Sequence, residues 1–466
     1  MPETKQLEEF NTISGLHAGY RNGSLSPVKV VRDYLDAIST MDPKLGAYQE
    51  IWSETAMEMA WAAEKSLASG YDLGPFHGVP FALKDLFHFK GRVTTCGSAA
   101  MVNNVAETTS TIVSRLIEAG GIILGKSKTV ECAFGGWGTN QKMGTPKNPW
   151  DMDVHRIPGG SSSGSAVAVA SGMAVCGVGS DTGGSVRLPA AFCGLVGLKV
   201  TAGRLPLDGI MPLSQTLDTP GPITQTVLDT VIMFEAMDGR EGWKIARDLT
   251  AGTGLYGELE KGVQELRLGS ISPREREECS PDILDAYDMS LDRLVALGAS
   301  VEVFDNPVAY GELADDNGLI TAVEAYTNHG SYYEDKSLPM DEDVRIRMLT
   351  GKTYAAHEYA HKLQRRQHLI REFKMAMQGF DALVTPSIIS TAPALADVDQ
   401  KISPGYFTRP FNFLEMCGLS LPICLTSSGL PTSLQIVGRA HDEAMTLRIG
   451  AALEKDLPSI GRPSLT

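Results

Sequence analysis

Ser161 and Ser185 stand near the two ends of IPGGSSSGSAVAVASGMAVCGVGSDTGGSVR (157–187), the stretch of the chain in which Gly and Ser crowd most densely. Loops so rich in Gly let backbone N–H groups approach a ligand closely. Three chemistries compete for such a segment. A phosphate cradle needs Lys and then Ser or Thr after its last Gly, whereas here Gly164 is followed by Ser165 and Ala166. A nucleophile elbow fits the spacing Gly160-Ser161-Ser162-Ser163-Gly164, with Ser162 at its centre. An elbow also needs a buried strand just before it, and DMDVHRIPG is polar and broken at Pro158. It needs a later Asp and His as well, and candidates such as His441 sit in no motif. The third chemistry couples two serines to a lysine. A helix out and a strand back would bring Ser161 and Ser185 together at one sheet edge, and Lys84 closes the apolar run VPFAL upstream. Against all three stands a structural alternative: two capped tight turns and a lysine that snorkels to the surface.

The elements needed to hold these residues are legible as alternating patterns. PVKVVRDYLDAIST (27–40) carries Val30, Val31, Tyr34, Leu35 and Ile38 at helical spacing after a Ser-Pro start. GVPFALKD (78–85) reads as a buried strand feeding a loop. STIVSRLIEAGG followed by IILGKSK (110–128) reads as a helix closed by Gly120 and then a buried strand. The same succession recurs at 166–181, 283–304 and 368–386, and it ends in two strands, 419–425 and 432–438, and a helix over 442–454. Such alternation predicts an α/β fold with a central mixed sheet covered by helices on both faces. Residues 240–380 are richer in charge and mostly helical in pattern. We therefore expect one large domain over 1–466, with a core at 27–225, a helical layer at 240–380 and a return to the sheet at 381–455.

Composition narrows the function classes. The 466 residues are 43% hydrophobic, enough to bury a large core, so a disordered chain is excluded. With 41 basic and 56 acidic residues the net charge is −15, and no basic stripe is present to displace counterions, which argues against direct nucleic-acid binding. The apolar run 166–179 is too short and Gly-rich to span a bilayer. The N-terminal MPETKQLEEF has no signal-peptide pattern, and the seven Cys, odd in number and without a C-x-x-C pair, read as reduced thiols. These features predict a cytoplasmic protein that needs no metal.

Four blocks carry a resemblance: GVPFALKDLF, GGSSSGS, SDTGGSVRLPAAFCGLVGLKVT and the late GLPTSLQIVGR. In this order they resemble the amidase signature family of Ser–cis-Ser–Lys amide hydrolases, over roughly 27–225 and 381–455. The resemblance implies Ser185 as nucleophile, Ser161 as the bridging serine after a cis peptide, and Lys84 as base. It implies an oxyanion hole from the N–H groups of Thr182, Gly183, Gly184 and Ser185. Asp181 and Arg187 would hold that loop, Ser162 would support it, and Gly135, Gly136 and Trp137 would line the substrate pocket. No cofactor is implied. The physical logic agrees. A serine hydroxyl is a poor nucleophile until a base takes its proton. A free lysine with pKa near 10.4 is only about one part in a few thousand neutral at pH 7, so the base requires burial.

The substrate is the least legible feature. Tyr406, Phe407, Phe411 and Phe413, with Tyr326, Tyr332 and Tyr333, are candidates for an apolar acyl pocket. Together they point to a small neutral amide, apolar or aromatic, with carbamates and esters as further substrates. A monomer or homodimer would suffice. Two alternatives stand beside this reading: the amidase subunit of a glutamyl-tRNA amidotransferase, and a non-enzymatic scaffold using its acidic helical layer.

Overall fold

The computed structural model describes residues 11–465. Eleven strands form one mixed sheet: β1 (Tyr48–Ile51), β2 (Pro80–Lys84), β3 (Ile122–Ser127), β4 (Cys176–Asp181), β5 (Val196–Lys199), β6 (Thr219–Thr224), β7 (Arg267–Ser270), β8 (Ser300–Val303), β9 (Ala382–Pro386), β10 (Cys417–Leu425) and β11 (Pro431–Gly438). Their order is β1-β3-β2-β4-β6-β5-β10-β11-β9-β7-β8. β2 runs parallel to both β3 and β4, while β6 is antiparallel to β4 and to β5. Every residue of β2, β3, β4, β5, β6, β9 and β11 is buried. Because successive side chains of a strand point to opposite faces, that pattern means helices cover both sides, as the apolar runs predict.

The covering helices follow from local chemistry. The helix Pro27–Leu45 begins where Ser26 Oγ accepts the Lys29 N–H at 3.2 Å with Pro at its first turn, and it ends at Gly46 in the left-handed conformation. The helix Ser163–Ala170 is small-residued and buried all round, and it packs on β2, β3 and β4. Its Gly164 lets the helix start pass close to the residues just before β1 and just after β3, since a β-carbon there would lie 2.2 Å from the Ala47 carbonyl oxygen and 2.5 Å from Lys128 N. Residues 240–380 are mainly helical and also supply β7 and the edge strand β8. The long helix Tyr310–Glu334 packs on Glu342–Thr350, Ala356–Ala376 and Arg409–Phe413, and it forms an outer layer over the loop that follows β4. All seven cysteines are free, and no helix among the described residues is long and apolar enough to cross a membrane.

Strand register decides what meets at the sheet edge. Leu83 pairs with Val178, so Lys84, the last residue of β2, is carried alongside the end of β4 and its Ser180. Asp181 pairs with Thr219 of β6, which brings Asp218 against the same corner.

Candidate active site

Lys84 is wholly buried at the end of an apolar strand. Its Nζ donates to Ser161 Oγ and to Ser180 Oγ, each at 2.8 Å. Removal of water from the ammonium lowers its pKa from 10.5 to about 7, with Cys96, Asp218 and Asp181 pulling the other way. About half of such lysines are neutral at pH 7, so the burial that the sequence demanded of a base is present.

The Gly160–Ser161 peptide is cis. The Ser161 carbonyl accepts from Val130 N at 3.2 Å and Thr129 Oγ1 at 2.9 Å, and Gly160 N donates to the Gly136 carbonyl at 2.7 Å. These bonds fasten the serine loop to the segment 129–137. Ser162 is turned away from any substrate: its hydroxyl donates to the Ser185 carbonyl, and its N–H reaches the same oxygen at 3.3 Å. Ser162 thus ties the two Gly/Ser loops together, and the elbow reading loses its nucleophile.

Asp181 and Arg187 organise the loop between them. Arg187 Nε and Nη2 reach Asp181 Oδ2 and Oδ1 at 3.0 and 2.9 Å, both side chains being inaccessible. Arg187 also donates to Gln435 Oε1 at 2.6 Å and Asn412 Oδ1 at 2.5 Å. Burial alone would raise the Asp181 carboxyl, but the Arg187 guanidinium, helped by Lys199 and Asn412, holds it well below the ordinary carboxylate range. Asp181 in turn accepts the N–H of Gly184 at 2.7 Å and of Val186 at 3.2 Å.

That last contact corrects one expectation. The Gly184 N–H is spent on Asp181 Oδ1 and does not face the substrate side of the loop. The N–H groups of Thr182, Gly183 and Ser185 take no acceptor among the described residues. Gly184 is needed instead for its shape. Its φ is +124°, and a β-carbon would sit 2.3 Å from Thr408 Oγ1. Gly184→Ala is expected to destabilise the fold by about 1–3 kcal/mol in urea titration and to slow active-site serine labelling, because the backbone must move to relieve the clash.

A cavity of about 560 Å³ opens beside this loop, and Thr182, Gly183 and Ser185 form part of its wall. Ser185 is 7% exposed and meets the cavity, whereas Lys84 and Ser161 lie fully buried behind it. Gly135, Gly136 and Trp137 line it as well; the Trp137 indole is fixed by Nε1 donating to the Ile402 carbonyl at 2.8 Å. The aromatic acyl pocket is not there. Phe407, Phe411 and Phe413 are fully buried core residues, with Phe407 and Phe411 edge-on to Tyr310, and Tyr406 bonds Glu275. Tyr333 bonds Glu131, Tyr326 bonds Glu334, and Tyr332 is an exposed surface residue. None of the seven lines the cavity. In their place are polar residues that sequence reasoning missed: Asn317 and Thr321 from the long helix, Arg347, and Arg409. No local motif marks these four, which are collected from three separate helices. Ser180 and Asp218 were missed too, although strand register would have exposed both.

Comparison with known proteins places the whole chain in a family. A family model described as Amidase matches residues 29–447. A 2-amino-5-chloromuconic acid deaminase from Comamonas testosteroni is 33% identical over 447 residues, covering 94% of each chain. The A-type subunit of the glutamyl-tRNA(Gln) amidotransferase from Geobacter metallireducens (strain ATCC 53774 / DSM 7210 / GS-15) is 34% identical, covering 96% of this chain and 98% of its own. A crystal structure of an amidase superposes with TM-score 0.85 at 29% identity over 96% of this chain and all of that one. A match running almost end to end, on a fold that buries a lysine beside paired serine loops, makes this chain a member of the amidase signature family and an amide-hydrolysing enzyme.

Proposed function

We propose that the enzyme cleaves its amide through an acyl-enzyme on Ser185, with Ser161 and Lys84 as proton relay and base. The observation that carries this reading is a buried Lys84, held near pKa 7, whose Nζ reaches Ser161 Oγ at 2.8 Å in the loop tied directly to Ser185. Ser185 Oγ attacks the carbonyl carbon while its proton passes through Ser161 to neutral Lys84. The oxygen that gains charge meets the N–H groups of Gly183 and Ser185, with Thr182 beside them. As the C–N bond breaks, the proton returns along the relay to the departing nitrogen. Water, deprotonated by the same relay, then attacks the acyl carbon and releases the carboxylic acid and Ser185.

Thr182 has a second role in this scheme. Its hydroxyl bonds Asp218, which also accepts from Leu213 N at 2.8 Å and Ser214 N at 3.0 Å. Burial pushes the Asp218 carboxyl up to about 6. The loop carrying the oxyanion donors is thereby braced from both sides, by Asp181 and by Asp218.

Fluorophosphonate labelling of the purified protein, with peptide mapping, tests the reading. Label is expected on Ser185 and is expected to depend on Lys84. Label on Ser162, or label that survives Lys84→Ala undiminished, would overturn it. A second reading rests on the amidotransferase relatives: a subunit that hydrolyses glutamine inside a complex. Turnover of simple amides by the isolated chain would decide against it, and inactivity relieved only by partner subunits would decide for it. Free cysteines support a cytoplasmic setting, and a monomer or homodimer acting on small-molecule amides is part of the same proposal.

A further inference from the structure

Two guanidinium groups face the cavity beside Ser185, and one of them is unpaired. Arg409 makes no side-chain hydrogen bond or ion pair among the described residues, although it lines the cavity wall. It lies close to the reacting loop: a β-carbon on Gly183 would be 3.0 Å from Arg409 Cγ and 3.6 Å from its Nε. Arg347 approaches from the other side. Its Nε donates to the Phe134 carbonyl at 2.9 Å and Nη1 to Gln400 Oε1 at 3.2 Å, which leaves Nη2 against Gly135.

Burial lowers both arginines, and each feels the electrostatics of its surroundings. Arg409 falls to about 10, with Asp315 opposing the shift and the Arg347 charge adding to it. Arg347 is lowered by burial against the pull of Asp341 and Asp343. The cavity does hold carboxylates. Asp343 accepts from Gln141 Nε2 at 2.7 Å, and exposed Asp399 accepts the Lys401 N–H at 2.9 Å. Neither forms an ion pair with Arg347 or Arg409. A neutral, apolar acyl group would leave the buried Arg409 guanidinium without a hydrogen-bonded partner, its only counter-charge being Asp315 acting through space, at a cost in free energy. A carboxylate removes that cost, because the planar fork of arginine matches its two oxygens.

We propose that Arg409 and Arg347 form an anion subsite that selects amides carrying a carboxylate at a short distance from the scissile carbonyl. This reverses the neutral substrate expected from the sequence, and it rests on the hydrolase reading above. The unpaired Arg409 acts as the specificity determinant, and Arg347 steadies the far side of the carboxylate.

The test compares succinamic acid and glutaramic acid with butyramide, which lacks the charge. Wild type is expected to favour one of the acids by tenfold or more in kcat/KM, chiefly through KM. Arg409→Gln and Arg347→Gln are each expected to reduce that preference about 10- to 100-fold. Arg409→Lys, which keeps the charge and loses the fork, is expected to fall between, and thermal melts establish that each variant folds. In parallel, glutarate is titrated calorimetrically into wild type and Arg409→Gln, a readout independent of turnover. Binding is expected in wild type and is expected to weaken in the variant. Equal use of acids and butyramide, with no effect of either variant, overturns the subsite while labelled Ser185 leaves the hydrolase standing. Absence of glutarate binding to wild type overturns the subsite even where no amide is turned over. Glutarate binding that depends on Arg409, with Ser185 unlabelled, keeps the subsite and rejects the Ser185 acyl-enzyme.

Discussion

Lys84→Ala is expected to lower amide kcat/KM by about 10²–10⁴, the range that a positioned base contributes, with the fold retained. The wild-type rate is expected to rise with pH through about 7 as Lys84 loses its proton, since its lowered pKa places the neutral, proton-accepting form in the physiological range. In Lys84→Ala that inflection should disappear. The rate of fluorophosphonate labelling of Ser185 follows both effects without a known substrate. A lysine at its ordinary pKa would put the inflection near 10, and an unchanged profile in the variant would remove Lys84 from the chemistry. Ser180 provides an internal check. It holds Lys84 Nζ at 2.8 Å without joining the relay to Ser185, so Ser180→Ala should shift the inflection and slow labelling far less than loss of the lysine does.

The second large effect is structural. Arg187→Ala is expected to cost about 3–5 kcal/mol in urea unfolding, because it strands the Asp181 carboxylate in a fully buried site. Removing both charges with Asp181→Asn and Arg187→Met should cost less than the sum of the two single changes. Arg187→Lys should rescue little, because a single ammonium cannot span both Asp181 oxygens and also reach Gln435 and Asn412. The pH dependence has a fixed sign. The carboxyl is held below its unfolded value of 3.8, so the stabilisation is complete above that value and is lost as the pH falls through the depressed folded one. Acid unfolding of wild type but not of the Asn/Met double variant should therefore include this group. Single variants whose effects simply add would show that the pair does not act as a unit.

Both effects concern residues that stand in recognisable blocks. VPFAL before Lys84 told of a buried strand because an unbroken apolar run has no solvent face, and the two Gly/Ser loops at 159–164 and 182–185 advertised backbone brought close to something. The helix-to-strand succession gave the mixed sheet for the same reason: period and length are local properties of the chain. The amidase motifs then assigned roles that spacing alone left open among Ser161, Ser162 and Ser185.

What could not be read locally is whatever depends on which strands become neighbours. Ser180 meets Lys84 only because β2 and β4 pair in parallel at a particular register, and Asp218 joins them only because β6 returns antiparallel. The Gly184 N–H looked available because a sequence shows a donor and not its acceptor; the fold turned it onto Asp181. The aromatics misled for a related reason, since apolar rings serve a core and a pocket equally well, and burial against Tyr310 put Phe407 and Phe411 in the core. The cavity's charge came from the same source. Arg347 and Arg409 lie far apart in the chain on separate helices, and neither is marked by its neighbours in sequence. The chain itself determined an amidase signature fold, through patterns each segment carries alone. Only the tertiary structure decided the polarity of the pocket, because that is set by side chains from segments that meet nowhere but in the folded protein.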